Sequence, residues 1–154
     1  MASRRRLDVA GRGRLGVWVA ILFSGHLTAL EIENGYVRGL PPGQKSTAAF
    51  FTLYNDSGRP RTLVRVESDL AQRVEIHRHD HIDGMMQMRQ LPELTLAPEA
   101  REHFQPGGLH LMLMGLTRMP REGEQVELTF IDDRGERVVA QLPVVSVLNE
   151  RRHH

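Results

Sequence analysis

The chain contains a segment, residues 108–115, in which two kinds of side chain alternate. It reads Gly-Leu-His-Leu-Met-Leu-Met-Gly, so leucine separates His110, Met112 and Met114. Successive side chains of an extended strand point to opposite faces, which predicts leucine on one face and imidazole and thioether groups on the other. Both groups bind metals, and the thioether is a soft donor. The segment therefore predicts a strand face that binds a metal ion.

The soft donors of the chain are concentrated in one window of the sequence. Five of the seven methionines lie between residues 85 and 114, and five of the eight histidines lie between residues 77 and 110. By the same alternation Met86 and Met88 share a face of a second strand, and residues two apart along a strand lie about 6.6 Å apart. We expect these two strands and the segment around His77 to form one pocket.

A structural role is the alternative for each of these residues, because methionine is an adaptable core filler. The alternation favours the metal, since Leu109, Leu111 and Leu113 already occupy the inward face. Leaving an apolar side chain exposed forgoes about 1.5–3 kcal/mol of burial stabilisation. An exposed methionine face is also typical of a surface that docks another protein. Metal binding and docking both stay open at this point.

The donor types indicate which metal the pocket would hold. Thioethers are neutral and soft, so they favour Cu(I) over zinc, magnesium and calcium, and imidazole is a borderline partner. The chain has no cysteine. It therefore lacks the thiolate of a blue-copper site, and a mixed imidazole and thioether site should hold copper reversibly. Reversible binding suits a carrier better than a store.

The elements that position these donors are predicted to be β-strands. Short apolar runs alternate with Gly, Pro, Asn and Asp every eight to twelve positions, the rhythm of an antiparallel sandwich or barrel. Helical periodicity is not sustained, and only residues 69–72 and 98–100 fit a short helical turn. We expect one all-β domain. The predicted strands cover residues 31–38, 47–54, 61–68, 73–77, 85–89, 101–104, 109–115, 125–131 and 137–147.

The first 29 residues are predicted to be a secretory signal peptide outside this domain. Five arginines precede an apolar run at residues 15–23, which is shorter than the roughly 20 residues that span a bilayer. We expect a soluble exported protein, with an uncleaved anchor as the alternative. The copper-binding domain then covers residues 30–150, and residues 151–154 form a short tail.

Charge and composition exclude several classes of function. Without its first 29 residues the chain loses five arginines and one aspartate, so the formal charge falls from +1 to −3. No basic stripe remains to neutralise phosphates, which argues against a nucleic-acid partner. No nucleophile with a base and an orienting group is apparent, and no paired carboxylates are either. We therefore predict neither an enzyme nor a small-molecule substrate.

The spacing of four donors resembles the motif of the periplasmic copper chaperone family, the PCuAC-like proteins. That motif is a His, ten residues, a Met, twenty-one residues and His-x-Met. Here His77 is followed by ten residues and Met88, and then by twenty-one residues and His110-Leu111-Met112. The neighbouring residues 74–77, 84–89 and 106–116 are similar to the family as well, and so are residues 49–55.

The resemblance implies a cupredoxin-like, Ig-like Greek-key β-sandwich that binds one Cu(I) at an exposed site. It implies His77, Met88, His110 and Met112 as the ligands. It also implies delivery of copper to the dinuclear copper centre in a subunit of cytochrome c oxidase, alongside a thiol-bearing assembly factor.

Two features of this chain depart from the family pattern. Many relatives carry Met where His79 and His81 stand, and these imidazoles would shift the preference toward Cu(II) or provide an entrance relay; the alternative is a solvated loop. Met86 and Met114 are further candidate ligands that would substitute for a motif residue. Some relatives end in a long His- and Met-rich tail, whereas this chain ends in His153 and His154, which would add only a weak second site.

Overall fold

The computed structural model describes residues 29–150, and all ten of the elements within them are β-strands. The predicted all-β class is therefore confirmed, and the predicted strands all occur. The strands are β1 Leu30–Gly39, β2 Ser46–Asn55, β3 Arg61–Glu67, β4 Ala71–Ile82, β5 Met85–Leu91, β6 Leu94–Leu96, β7 Arg101–Phe104, β8 Leu109–Leu116, β9 Gln125–Asp132 and β10 Arg137–Ser146.

The strands form one hydrogen-bonded sheet in the order β5-β4-β8-β7-β2-β1-β10-β9-β3-β6. Neighbours are antiparallel except β1 with β10 and β7 with β8, which are parallel. The two halves of the sheet pack face to face across a common core. Phe51 on β2 stacks on Phe104 at 4.3 Å between ring centroids, and it meets Phe130 of β9 edge-on at 5.2 Å. This packing makes the open sheet a sandwich.

The leucine face of β8 is the face that enters this core. Leu111 and Leu113 are completely buried, and Leu109 is almost so. The predicted alternation of β8 is correct, because the intervening residues lie on the opposite, outer face of the sheet. Burial of the leucines thus determines which way the imidazole and thioether groups point.

Several elements differ from the sequence prediction. The strand β4 does not end at His77 but continues to Ile82, so His79 and His81 lie in a strand and not in a loop. The turn is confined to Asp83 and Gly84, whose φ angles of 51° and 77° are those of a two-residue hairpin turn. The short strand β6 was not predicted, and residues 69–72 and 98–100 form no helix.

Some predictions fall outside the residues that the structure describes. The signal segment lies outside them except for Ala29, and the tail at residues 151–154 lies outside them completely. Between residues 29 and 150 there is no helix with the length and apolar character needed to cross a membrane.

Candidate metal centre

The candidate ligands lie on the outer face of three adjacent strands, with β4 between β5 and β8. Residues directly opposite each other on antiparallel strands point to the same face. His77 lies opposite His110 of β8, and His79 lies opposite Met88 of β5. The same face carries Glu75 opposite Met112, His81 opposite Met86, and Arg73 opposite Met114.

Three imidazole rings form the centre of this face. The ring centroid of His110 lies 5.9 Å from that of His77 and 5.0 Å from that of His79, on which it stacks. On the other side, Phe50 of β2 lies 6.5 Å from His110. As a result His110 is only 4% exposed, although it lies on the outer face. The sequence predicted its face correctly but not this cover of neighbouring rings.

The two predicted thioether ligands lie on opposite sides of the imidazole centre. Met112 is diagonal to His77 on the β8 side, and Met88 is diagonal to His77 on the β5 side. Diagonal neighbours in a sheet are about 7–8 Å apart, within reach of a long side chain. Met112 is half-buried, whereas Met88 is 50% exposed. The structure therefore brings the four motif residues to one face, with one thioether covered and the other open.

The further candidate residues lie in three separate places. His79 belongs to the imidazole centre, because it stacks on His110 and lies opposite Met88. His81 and Met86 pair with each other farther out, where β4 and β5 extend beyond the last β8 partner and both strands are exposed. We call residues 80–87 the β4–β5 arm. Met114 lies at the opposite end of the face, beside the cation of Arg73.

Hydrogen bonds define which ring nitrogens carry a proton. Nδ1 of His110 donates to the carbonyl oxygen of Gly108 at 3.1 Å, which leaves Nε2 of the neutral ring unprotonated. Nε2 of His77 lies 3.0 Å from the carboxylate of Glu75. Nδ1 of His77 and Nδ1 of His79 are buried and have no hydrogen-bond partner within the described chain. Buried polar atoms without a partner are uncommon, which makes these two nitrogens candidate metal-binding atoms.

Burial lowers the pKa of His110 below its ordinary value, because the charged imidazolium loses its hydration. The hydrogen bond to Gly108 opposes this shift, and the nearby His79 and Arg38 reinforce it. The His110 ring is therefore neutral at pH 7, and Nε2 keeps a lone pair for a metal.

Residues other than the motif also shape the site, and the sequence analysis did not single them out. Glu75 lies on the same face as His77, and alternation along β4 was the signal that would have found it. Phe50 belongs to a small apolar cluster on the outer face with Tyr36, Ala48 and Val145.

Across residues 29–150, no group of three or more His, Cys, Asp or Glu side chains is arranged to hold a metal ion by itself.

The fold and the site define a cupredoxin-like β-sandwich with an imidazole and thioether cluster on one outer face. The chain belongs to the LpqE-like lipoprotein family, whose model matches residues 30–144. This match, together with the similarity to solved PCuAC structures, confirms the PCuAC-like family and the cupredoxin-like fold that the sequence predicted.

Solved structures of similar proteins agree with this assignment. The Cu(I) form of DR1885 from Deinococcus radiodurans is 32% identical, covering 78% of this chain and 82% of that one, with a TM-score of 0.62. The copper-bound PCuAC domain of PmoF2 is 23% identical, covering 77% of this chain and 94% of that one, with a TM-score of 0.65; this shows similarity of fold.

A further relative is the uncharacterized protein RP573 of Rickettsia prowazekii. It is 27% identical over 96 residues, which are 61% of this chain. The chain spans about half, 53%, of the length of that relative.

Proposed function

We propose that the protein is a copper chaperone that binds one Cu(I) ion and passes it to another protein. The observation that carries the proposal is the pairing of His77 with His110 on one sheet face, with Met88 and Met112 diagonal to His77 on either side. These four residues are the proposed ligands. Support comes from the 32% identical Deinococcus protein, whose solved form contains Cu(I).

The ligand chemistry favours the monovalent ion. Neutral imidazole and neutral thioether satisfy a soft ion of low charge, whereas divalent hard cations need oxygen ligands. His110 is preorganised for this role, because the Gly108 carbonyl fixes its ring and leaves Nε2 unprotonated. Copper would thus be held by residues whose positions the sheet already determines.

The unequal exposure of the two thioethers suggests how copper leaves the site. Met112 is half-buried beside β2, whereas Met88 lies on the edge strand β5 and is 50% exposed. An incoming ligand of an acceptor would replace Met88 first, while His77, His110 and Met112 still hold the ion. Copper would then move through shared-ligand intermediates and would not be released into water.

The additional histidines extend the same route. His79 lies between Met88 and His110, and we propose that it takes part in ligand exchange and favours transient Cu(II) binding. His81 and Met86 would form an outer pair at which copper enters. We propose no ligand role for Met114, because it lies beside Arg73 and away from the imidazole centre.

The destination of the copper is proposed from the family resemblance. The acceptor would be the dinuclear copper centre of cytochrome c oxidase, reached with a thiol-bearing assembly factor, and the compartment would be the periplasm. The lipoprotein description of the family supports export. The protein would act without catalysis, since its cargo is bound and released unchanged.

A docking module is the second candidate function, because β5 is an edge strand with exposed methionines. Met85 is 62% exposed, and Met86 and Met88 are about as exposed. Such a strand can pack against another protein without any metal. In that case partner binding would not change when copper is removed.

A titration of the full chain with Cu(I), in competition with a chromogenic chelator, tests the proposal. We expect one equivalent to bind, and we expect the double substitution Met88→Ala and Met112→Ala to weaken binding at least about 100-fold, which is about 2.8 kcal/mol. Met85→Ala is the matched control, because this thioether lies on the opposite face of β5, opposite Ile82. Binding of less than one equivalent, or equal affinity of the double variant and the control, would refute the proposal.

Acidification is expected to weaken Cu(I) binding, because protons compete for the imidazole lone pairs. The pKa of His110 is lowered, so its proton competes only below the ordinary imidazole value of about 6.5. The affinity should therefore be nearly constant from pH 8 to pH 7 and should then fall by about tenfold per pH unit for each imidazole that protonates. Competition titrations at pH 8, 7, 6 and 5 measure this, and an affinity that stays constant down to pH 5 would contradict imidazole ligation.

A further inference from the structure

Glu75 lies within the candidate site although it belongs to no part of the metal-binding motif. It precedes His77 by two residues on β4, so both side chains are on the outer face. Oε2 of Glu75 lies 3.0 Å from Nε2 of His77, and the side chains are 19% and 14% exposed. Because both side chains are largely buried, their geometry is more defined than that of a solvent-exposed ion pair.

This contact determines which nitrogen of His77 carries the proton. A carboxylate only accepts hydrogen bonds, so Nε2 of the neutral His77 ring must be the donor. Nδ1 is then unprotonated, and in the structure it is buried without a partner in the described part of the chain. A buried acceptor left unsatisfied is destabilising, and a metal ion bound at that atom would satisfy it.

His110 has the opposite arrangement. Its Nδ1 donates to the Gly108 carbonyl, so its lone pair is on Nε2. The two facing imidazoles are thus held as different tautomers by different partners, one by a backbone carbonyl and one by a carboxylate.

The other neighbours of Glu75 do not compete for the carboxylate oxygen that faces His77. Nε of Arg73 lies 3.9 Å from the second carboxylate oxygen, Oε1, and the Arg73 side chain is mostly exposed. Oε2 therefore remains the oxygen that faces His77. Met112 lies directly opposite Glu75 on β8, so the carboxylate is next to two proposed ligands, His77 and Met112.

We propose that Glu75 is a positioning residue that holds His77 as the Nε2–H tautomer, so that copper is bound by Nδ1 of His77 and Nε2 of His110. The inference rests on the proposed Cu(I) function. A carboxylate behind a ligating imidazole fixes the ring and raises its basicity, and loss of such a partner typically weakens metal affinity 10–100-fold. The carboxylate charge would also offset the charge of the bound ion.

Nitrogen-15 NMR of the histidine rings of the copper-free full chain at pH 8 tests the tautomer directly. We expect the His77 ring to show a protonated Nε2 and an unprotonated Nδ1 in the natural sequence. Glu75→Ala should convert this ring to a mixture of tautomers and weaken Cu(I) binding about 10–100-fold. Glu75→Gln, whose amide oxygen still accepts a hydrogen bond, should retain most of both properties. Glu93→Ala, an exposed glutamate between β5 and β6, is the matched control and should change neither.

The outcomes separate this inference from the function on which it rests. A protonated Nδ1 in the natural sequence, or a tautomer that Glu75→Ala leaves unchanged, would overturn the positioning role. A changed tautomer with unchanged Cu(I) affinity would overturn it as well. Failure of the natural chain to bind Cu(I) would instead refute the proposed function, and the role of Glu75 in copper binding would fall with it.

Discussion

Replacement of His110 by alanine is expected to cause the largest loss of Cu(I) affinity of any single substitution, at least about 100-fold or 2.8 kcal/mol. His110 lies at the centre of the proposed site, where it faces His77 and stacks on His79. Its removal takes away the imidazole that the Gly108 carbonyl holds in one tautomer. Competition with a chromogenic Cu(I) chelator measures the loss.

His103→Ala is the matched control for this substitution. His103 is an exposed histidine on β7, outside the three strands that carry the candidate ligands, and its Nδ1 lies 3.0 Å from Oγ1 of Thr52. Circular dichroism of both variants shows whether the sheet is retained. A folded His110→Ala protein that binds Cu(I) as tightly as His103→Ala would contradict the proposed ligand set.

Replacement of Asp132 by alanine is expected to lower the free energy of unfolding by about 3–5 kcal/mol. Asp132 is 2% exposed, and its Oδ2 accepts a hydrogen bond from Nη1 of the buried Arg61 at 2.9 Å. Its Oδ1 accepts from the backbone N–H groups of Arg134 and Glu136 in the β9–β10 turn. Alanine would leave a buried guanidinium and two N–H groups without these partners. Urea unfolding followed by circular dichroism measures the change.

Asp133→Ala is the control for this stability prediction, because Asp133 is the exposed neighbour in the same turn. Glu136 lies 3.5 Å from Arg61, but its side chain is 45% exposed, so it compensates only in part. A loss below about 1 kcal/mol in Asp132→Ala would show that the pair is not needed for stability. The Cu(I) affinity of the folded variant should be unchanged, since Asp132 lies on β9 in the other half of the sheet.

The sequence predicted the strand elements well where one face is apolar, and less well elsewhere. The alternation of β8 gave both its extent and its faces, because burial of leucine dominates that strand. The end of β4 was predicted too early, since residues 77–81 are polar and carry little strand preference. Pairing with β5 and with β8 determines the extended conformation of that segment, because such non-local pairing overrides local preference.

The sequence predicted which candidate ligands share a face, but not their register. The motif spacing singled out His77, Met88, His110 and Met112 as candidates, and the fold brings all four to one face. The spacing does not reveal that Met88 lies opposite His79, because the two-residue turn at residues 83–84 determines the pairing of β4 with β5.

The β4–β5 arm also has a consequence for the divergence of such proteins. The arm extends past the last β8 partner, and its residues are exposed on both faces except Asp80, which pairs with Arg89. Substitutions at exposed positions usually change stability by no more than about 0.5 kcal/mol. The tip of this hairpin can therefore vary between related proteins at little cost in stability, while the buried core of the sandwich stays the same.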